Sequence, residues 1–570
     1  MTTSLLLCSL LVSLAAVDED LANAQSAPAP EQLVEAAESV AYRWVFGDDS
    51  NAVVARQRLD SLLHQKIAAI DQVCGLTEIQ KRKLELAGNG DNERLIGRVK
   101  EIAAELQNVV NDRDRLGALE KAVADTEPLK RGLIVPGSSN RDSLFVKVLE
   151  KLLTGDQLAK YEPLRAVFRA GGLVRMRACG YDPLRAFYHL EKPAEMTEPR
   201  SDNVVDIDLS GTPFSDDALA VLGDLPGIHY LELGDTRISD AGLRRIKEMT
   251  NLRLLGLGST NVTDSGMAHL VGLAKLQWLW LDYTQVTDTG LAQVKELTGL
   301  KNLGLIRTQV TDAGLARLAE LNGLQSIFLH HTKVTDAGMV HLSAMTRLQR
   351  LGLGDTQVTD AGLVHLKGLD KLEFLGLSRN QVGDAGLVHL KGMSSLQWLW
   401  LNSTNVTDVG LKHLQGFTSL QNLLLSNTQV TDAGLVHLKE LTGLQILNLG
   451  NTRLKGAELV HLNNLTNLRW LSLDKTRVTD ARLLHLGGLT QLENLDLNHT
   501  QVTDAGLAHL EGLTSLKRLS LRSTQITDAG LAHLKSLTNL QRLSFTNTRV
   551  TDEGVADLQR ALPALDIYSR

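Results

Sequence analysis

The sequence predicts an α/β chain in two parts. An all-α N-terminal domain precedes a long repeat solenoid with a parallel concave sheet and short convex helices. Three observations carry this reading. A threonine recurs every 24 residues through the last two thirds of the chain. Leucines between those threonines alternate with period two and then shift to helical spacing. The preceding stretch is instead made of long, charged, helix-favouring runs with little strand patterning. Composition agrees: of 570 residues, 43% are hydrophobic and 22% charged, which supplies a core in a soluble chain, and only 4% are aromatic, so that core is aliphatic. Net charge is −7, which argues against a generic phosphate-backbone binder, and no nucleic-acid partner is expected. Three cysteines are too few for a disulfide scaffold and have no zinc spacing.

At the amino terminus, Leu5 to Val17 is an uncharged run of 13 residues. A bilayer needs ~20 residues, so no transmembrane span is expected, and the run suits the apolar region of a secretory signal. Ala22-Asn23-Ala24 supplies a small-x-small site before Gln25. The expected organisation is a signal peptide over 1–24, a linker over 25–30, a helical domain over 31–198 and the repeats over 203–570. The expected location is periplasmic or secreted, with a cytoplasmic chain as the alternative. Cys74 and Cys179 would remain after cleavage, either paired or as two buried thiols.

Helices are expected near 31–46, 51–73, 78–87, 92–111, 142–153 and 155–169. Leu76-Thr77-Glu78-Ile79-Gln80 and Leu153-Thr154-Gly155-Asp156-Gln157 both read L-T-x-x-Q. In each, the threonine can cap a helix while the glutamine reaches back to the threonine N–H. The paired motif resembles the LTxxQ family of periplasmic helical proteins. That resemblance implies an exported helical hairpin with a chaperone or stress-sensing role.

The repeat series runs Thr212, Thr236, Thr260, Thr284, Thr308, Thr332, Thr356, Asn380, Thr404, Thr428, Thr452, Thr476, Thr500, Thr524 and Thr548. One unit shows the rest of the pattern: Leu252, Leu255, Leu257, Thr260, Val262, Thr263-Asp264, Gly266, Met267, Leu270 and Leu273. About fifteen units fit this frame. The pattern resembles the leucine-rich repeat, with Thr usually replacing Asn, and the V-T-D-x-G-L half resembles the cysteine-containing subclass of F-box substrate receptors. The resemblance implies a horseshoe that binds other macromolecules.

The residues support this independently. Leu255 and Leu257 mark a short strand, and Thr260 sits at the bend, where its hydroxyl can satisfy backbone groups that the sheet leaves free. Stacked threonines are expected to form a ladder. Thr263 or Asp264 then caps a short helix. The helical segment is the expected cover for the first coil, where Asp206 and Asp208 begin the array. At the far end the spacing slips by one residue at Leu562-Pro563 before a last strand at Leu565-Asp566-Ile567-Tyr568.

On the face turned away from the leucines stand Trp278, Trp280, Phe328, Phe374, Trp398, Trp400, Trp470 and Tyr230. The column Gly256, Trp280, Gly304, Phe328, Gly352, Gly376, Trp400 places rings beside glycines. Two readings follow: rings shielding a glycine-weakened sheet, or an aromatic platform for a partner. The platform is the preferred reading, with its indoles in solvent and with Asp282, Tyr283, His330 and His331 as its rim. Arg518, Arg522, Arg542 and Arg549 make the last coils basic, while Asp206, Asp208, Glu232 and Asp235 make the first ones acidic.

Ten histidines from His269 to His533 share one helical position and read as half-buried convex filler rather than a metal row. Because Glu458 and Arg482 stand where other coils carry Gly, that position does not demand a positive φ. Metalloprotease, P-loop, esterase, dinucleotide and kinase signatures are absent from the sequence. The expected function is non-catalytic binding of a protein or peptide on the concave face, with no cofactor or metal. Envelope glycan binding through the aromatics is the alternative, and a chaperone role of the helical domain is a third.

Overall fold

The computed structural model describes residues 205–212, 214–219, 222 and 228–568, the strand Leu173–Arg175, and part of the stretch between Arg56 and Ile96. The expected signal peptide, linker, the helices near 31–46, 142–153 and 155–169, the second L-T-x-x-Q turn, Cys74 and Cys179 lie outside these residues. The chain divides into two compact units, 1–255 and 256–570.

In the first unit every described residue from Arg56 to Asp71 is helical, and residues 78–89 form a second helix. Leu59, Leu63 and Ile67 recur at helical spacing and are buried, as are Leu84 and Ala87. The expected capping box is formed. Thr77 N–H donates to Gln80 Oε1 at 2.8 Å, and Gln80 N–H donates to Thr77 Oγ1 at 3.3 Å. One feature corrects the all-α expectation. Within 31–198 lies a strand, β1 (Leu173–Arg175), which pairs antiparallel with β2 (Val205–Asp208). The first repeat strand is therefore flanked by a strand, which satisfies its edge amides directly. Strand β2 also pairs in parallel with β3 (Ile228–Glu232). A helix follows over Asp240–Ile246, capped by Ser239. Strand β4 (Leu254–Gly256) lies at the boundary between the units.

The second unit is a parallel sheet built one short strand per coil. Its strands are β5 (Trp278–Trp280), β6 (Asn302–Gly304), β7 (Ser326–Phe328), β8 (Arg350–Gly352) and β9 (Phe374–Gly376). Then come β10 (Trp398–Trp400), β11 (Asn422–Leu424), β12 (Ile446–Asn448), β13 (Trp470–Ser472) and β14 (Asn494–Asp496). The last are β15 (Arg518–Ser520), β16 (Arg542–Ser544) and β17 (Asp566–Tyr568). Each pairs in parallel with the next, and partners are offset by one repeat, as in Leu279 with Leu303 and Leu399 with Leu423. The offset holds to the end, where Leu543 meets Ile567. The sequence slip at Leu562-Pro563 is thus absorbed after the longer closing helix, Asp552–Ala561. Leucines from strand, turn and helix fill the interior; Leu279, Leu281, Leu291 and Leu300 are all fully buried.

Two side-chain systems hold the coils. In the first, each ladder threonine donates its hydroxyl to the carbonyl three residues earlier at 2.6–2.8 Å. These bonds stay within a coil, so each threonine closes its own turn and the stacked turns form a column. Asn380 alone among them links neighbours: its Nδ2 donates to Leu353 O at 2.7 Å and its Oδ1 accepts from Thr356 Oγ1 at 3.0 Å. The residue before each threonine is left-handed, with φ from 52° to 58° at non-glycine residues that include Tyr283, Arg307 and His331.

The second system joins coils. Asp264 Oδ1 accepts from Thr287 N at 2.7 Å, and its Oδ2 accepts from Thr287 Oγ1 at 2.6 Å. The same pair of bonds recurs from Asp288 to Thr311 and from Asp528 to Thr551. Thr287 Oγ1 also accepts from Thr289 N, capping its own helix. Threonine therefore supplies the cap and aspartate the bridge to the next coil.

Candidate functional site: the inner face of the repeat sheet

The strand register places the predicted rings on the face opposite the leucine core, as expected. Their exposure is another matter. Trp278 and Trp280 are each 4% exposed, Phe328 1% and Phe374 0%. The expectation that these four stand in solvent is corrected. Trp280, Phe328 and Phe374 pack on one another and against glycines. Ring centroids lie 6.3 Å apart for Trp280 and Phe328, 6.2 Å for Phe328 and Phe374, and 4.8 Å for the edge-on pair Phe374 and Trp400. Trp280 pairs with Gly304 across β5 and β6, and Phe328 with Gly352 across β7 and β8. A β-carbon at Gly304 would fall 2.6 Å from the Trp280 ring, and one at Gly352 would fall 2.9 Å from Phe328. These glycines are required by the rings beside them, which is the shielding reading for this part of the face.

His330 and Asp282 also depart from the expected rim role. Both are buried, at 6% and 7% exposure. Each lies two residues beyond a strand and accepts the backbone N–H one coil further on: Asp282 Oδ1 from Ile306 at 2.7 Å, and His330 Nδ1 from Gly354 at 2.9 Å. Asn402 does the same for Ser426 at 3.0 Å, and Asn498 for Arg522 at 2.7 Å. Burial, with His331 as the smaller cause, pushes the His330 imidazole down to about 3, so the ring is neutral. This polar column was legible only as a run of Asp, His and Asn at one repeat position.

The exposed part of the face lies elsewhere. Trp398, Trp400 and Trp470 are half-buried. The Trp398 indole N–H donates to the Asn422 side-chain oxygen, once that amide is oriented to suit its neighbours. Arg518, Arg522 and Arg542 are exposed. Arg549 does not join them; it follows the ladder residue, and its N–H donates to Ile526 O. At the rim, Tyr283 is 48% exposed with the Arg307 guanidinium 5.3 Å from its ring centroid. His331 Nδ1 lies 2.7 Å from Asp355 Oδ2. In the first unit, Tyr230 and Glu232 are buried. On the helical side, His341, His365 and His389 are half-buried as expected. Among the described residues no group of three or more His, Cys, Asp or Glu side chains is placed to hold a metal. No helix among them is long and apolar enough to cross a membrane.

A family model described as Leucine Rich repeat matches residues 512–534, which span the turn, strand β15 and the helix after it. The repeats have the fold of a leucine-rich-repeat solenoid. Curated proteins give no match to it. Among solved leucine-rich-repeat structures, an internalin of Listeria monocytogenes is 23% identical, over 63% of this chain and 92% of its own, with a TM-score of 0.43. A leucine-rich-repeat protein of Leptospira interrogans is 19% identical, over 62% and 97%, with a TM-score of 0.42. The ectodomain of the Arabidopsis receptor kinase HAESA, solved with an IDA peptide hormone ligand, is 16% identical, over 71% and 76%, with a TM-score of 0.43.

Proposed function

We propose that this chain is a non-catalytic recognition module that binds a protein or peptide on the inner sheet face between β10 and β16. One observation carries the reading. Half-buried indoles at Trp398, Trp400 and Trp470 share a face with exposed Arg518, Arg522 and Arg542. Aromatic rings and arginine are the residues that dominate protein interfaces. The buried cluster from Trp278 to Phe374 is left with a supporting role, holding the strands flat beside the exposed part. The Asp–Thr bridges support assignment of the repeats to the V-T-D-x-G-L type, with threonine in the position that the F-box receptor subclass gives to cysteine. The uncharged run at Leu5–Val17 supports export to the periplasm or exterior.

The test is a capture experiment with the full chain and a Trp400→Ala/Trp470→Ala variant, each checked for an unchanged melting transition. A discrete protein retained by the wild type and lost by the variant is expected, since truncating an anchoring ring costs ~2 kcal/mol or more. Equal retention by both would overturn the reading. A tryptophan fluorescence shift with oligosaccharides and none with the captured protein would replace it with glycan binding.

A further inference from the structure

Arg518 on β15 and Arg542 on β16 are direct cross-strand partners, and both are exposed. Neighbouring strands lie ~4.8 Å apart, so two cations leave the sheet side by side. Like charges so placed destabilise a sheet. Arg522 lies beyond Ser520 on the first of these coils and is exposed too. Among the described residues none of the three side chains makes a salt bridge or a hydrogen bond. The chain does neutralise cations one position away: Arg469 and Lys517 both meet Glu493, at 3.2 and 2.8 Å. The acids beside the three arginines are hydrogen-bonded to other groups, and the Arg522 charge acts on Asp496 without forming a salt bridge with it. Asp566, the cross-strand partner of Arg542, accepts from the Tyr568 hydroxyl at 2.7 Å. Asp496 on β14 accepts from Asn498 N at 3.1 Å and from Ser472 Oγ at 3.4 Å. Two residues along from Arg518 and Arg542, Ser520 and Ser544 pair across the strands and put small hydroxyl side chains beside the arginines.

We propose that Arg518, Arg522 and Arg542 form a cradle for the carboxylates of an acidic peptide segment lying over Ser520 and Ser544. The proposal rests on the inner-face reading above and adds to it the chemistry of the partner and its direction. The guanidinium fork matches a carboxylate in two-point contact, which a fixed point charge cannot do. A bound acid relieves the repulsion between Arg518 and Arg542, so the feature that weakens the free sheet becomes a source of affinity. The acidic part of the partner then lies on the last coils, with its less polar part toward Trp470 and Trp400.

The test uses the full chain and a fluorescently labelled oligoglutamate peptide, followed by anisotropy at low and at physiological salt. Wild type is expected to bind, more weakly as salt rises. An Arg518→Glu/Arg542→Glu variant is expected to bind at least about tenfold more weakly. The control is Arg453→Glu/Arg477→Glu, an equal charge change at exposed residues off the sheet face, and it is expected to bind as wild type does. Equal loss in both variants, or no loss in the first, would overturn the cradle. So would tighter binding of an oligothymidylate than of the peptide, which would make the site one for phosphates. Absence of peptide binding by wild type, together with a capture that still depends on Trp400 and Trp470, would remove the cradle and leave the inner-face reading standing.

Discussion

The glycine of the V-T-D-x-G-L motif has a helical backbone, so conformational freedom is not what selects it. Its cause is a neighbour. A β-carbon on Gly290 would fall 2.5 Å from Asp264 Oδ1, and one on Gly386 the same distance from Asp360 Oδ1. The carboxylate that bridges to the next coil needs the space. This explains one of the two exceptions, Arg482. Where the bridging aspartate is replaced by Gly456, the next coil carries Arg482 in place of glycine, and the Arg482 β-carbon sits 3.0 Å from where a Gly456 side chain would begin. His330 illustrates a different constraint, on charge. It must stay neutral to accept from Gly354 N–H, and burial holds it down to about 3. Its folded value lies below the unfolded one, so the unfolded chain takes up the proton first as pH falls. Stability that is full above about 6.5 is therefore lost progressively toward 3, by up to ~1.4 kcal/mol per pH unit. His330→Asn, which copies Asn402, is expected to keep the Gly354 bond and flatten this part of the profile in urea melts taken from pH 7 to pH 4. An equally steep loss in the variant would assign the acid sensitivity to another group.

At the scale of the element, each coil is held to the next by three strand residues, by its interior leucines and by the Asp–Thr bridge. A charge-assisted hydrogen bond contributes about 1.5–3 kcal/mol. Two joints keep the carboxylate without the threonine hydroxyl, at Asp360 with Gly383 and at Asp432 with Lys455, and among the described residues one joint lacks the carboxylate itself. Asp432 still reaches forward, to Lys455 N and Gly456 N, but Gly456 offers no carboxylate to Thr479, whose side chain makes no cap bond either. The β12–β13 joint is therefore expected to open first. In hydrogen exchange, amides beyond Trp470 should exchange through a lower-energy opening than those between Trp280 and Asn402. Gly456 has a left-handed backbone, so the bridge returns only with the whole turn: Lys455→Thr/Gly456→Asp/Glu458→Gly together with Arg482→Gly should slow that exchange, and uniform protection across the joint would refute the assignment. The sequence displayed this break in the consensus, and also the strand, bend and helix of every coil, because spacing records which residues face the interior. It did not display the left-handed residue before each threonine, since Tyr283, Arg307 and His331 carry no glycine signature there. Nor did it reveal the burial of Trp280 and Phe374. Period-two patterning assigns a ring to a face and is silent on how rings and glycines on that face fill space together. The strand at Leu173–Arg175 was hidden for a related reason: three residues are too few for any periodicity to register.

For the whole molecule, the same bonds recur at a constant offset, so most contacts are with adjacent coils and stability is close to one-dimensional. Removing residues 360–383 would place Asp384 directly after Thr359 and leave the bridges from Asp336 to Thr359 and from Asp384 to Thr407 intact. That shortened chain is expected to melt in one cooperative transition slightly below the parent's. An unfolded product would show that distant coils support one another. Because aspartate meets threonine at a fixed interval, length becomes a stepwise property of the gene. DNA segments that encode near-identical coils can misalign during copying, and each whole-coil slip yields a foldable product with a longer or shorter reach for selection to judge.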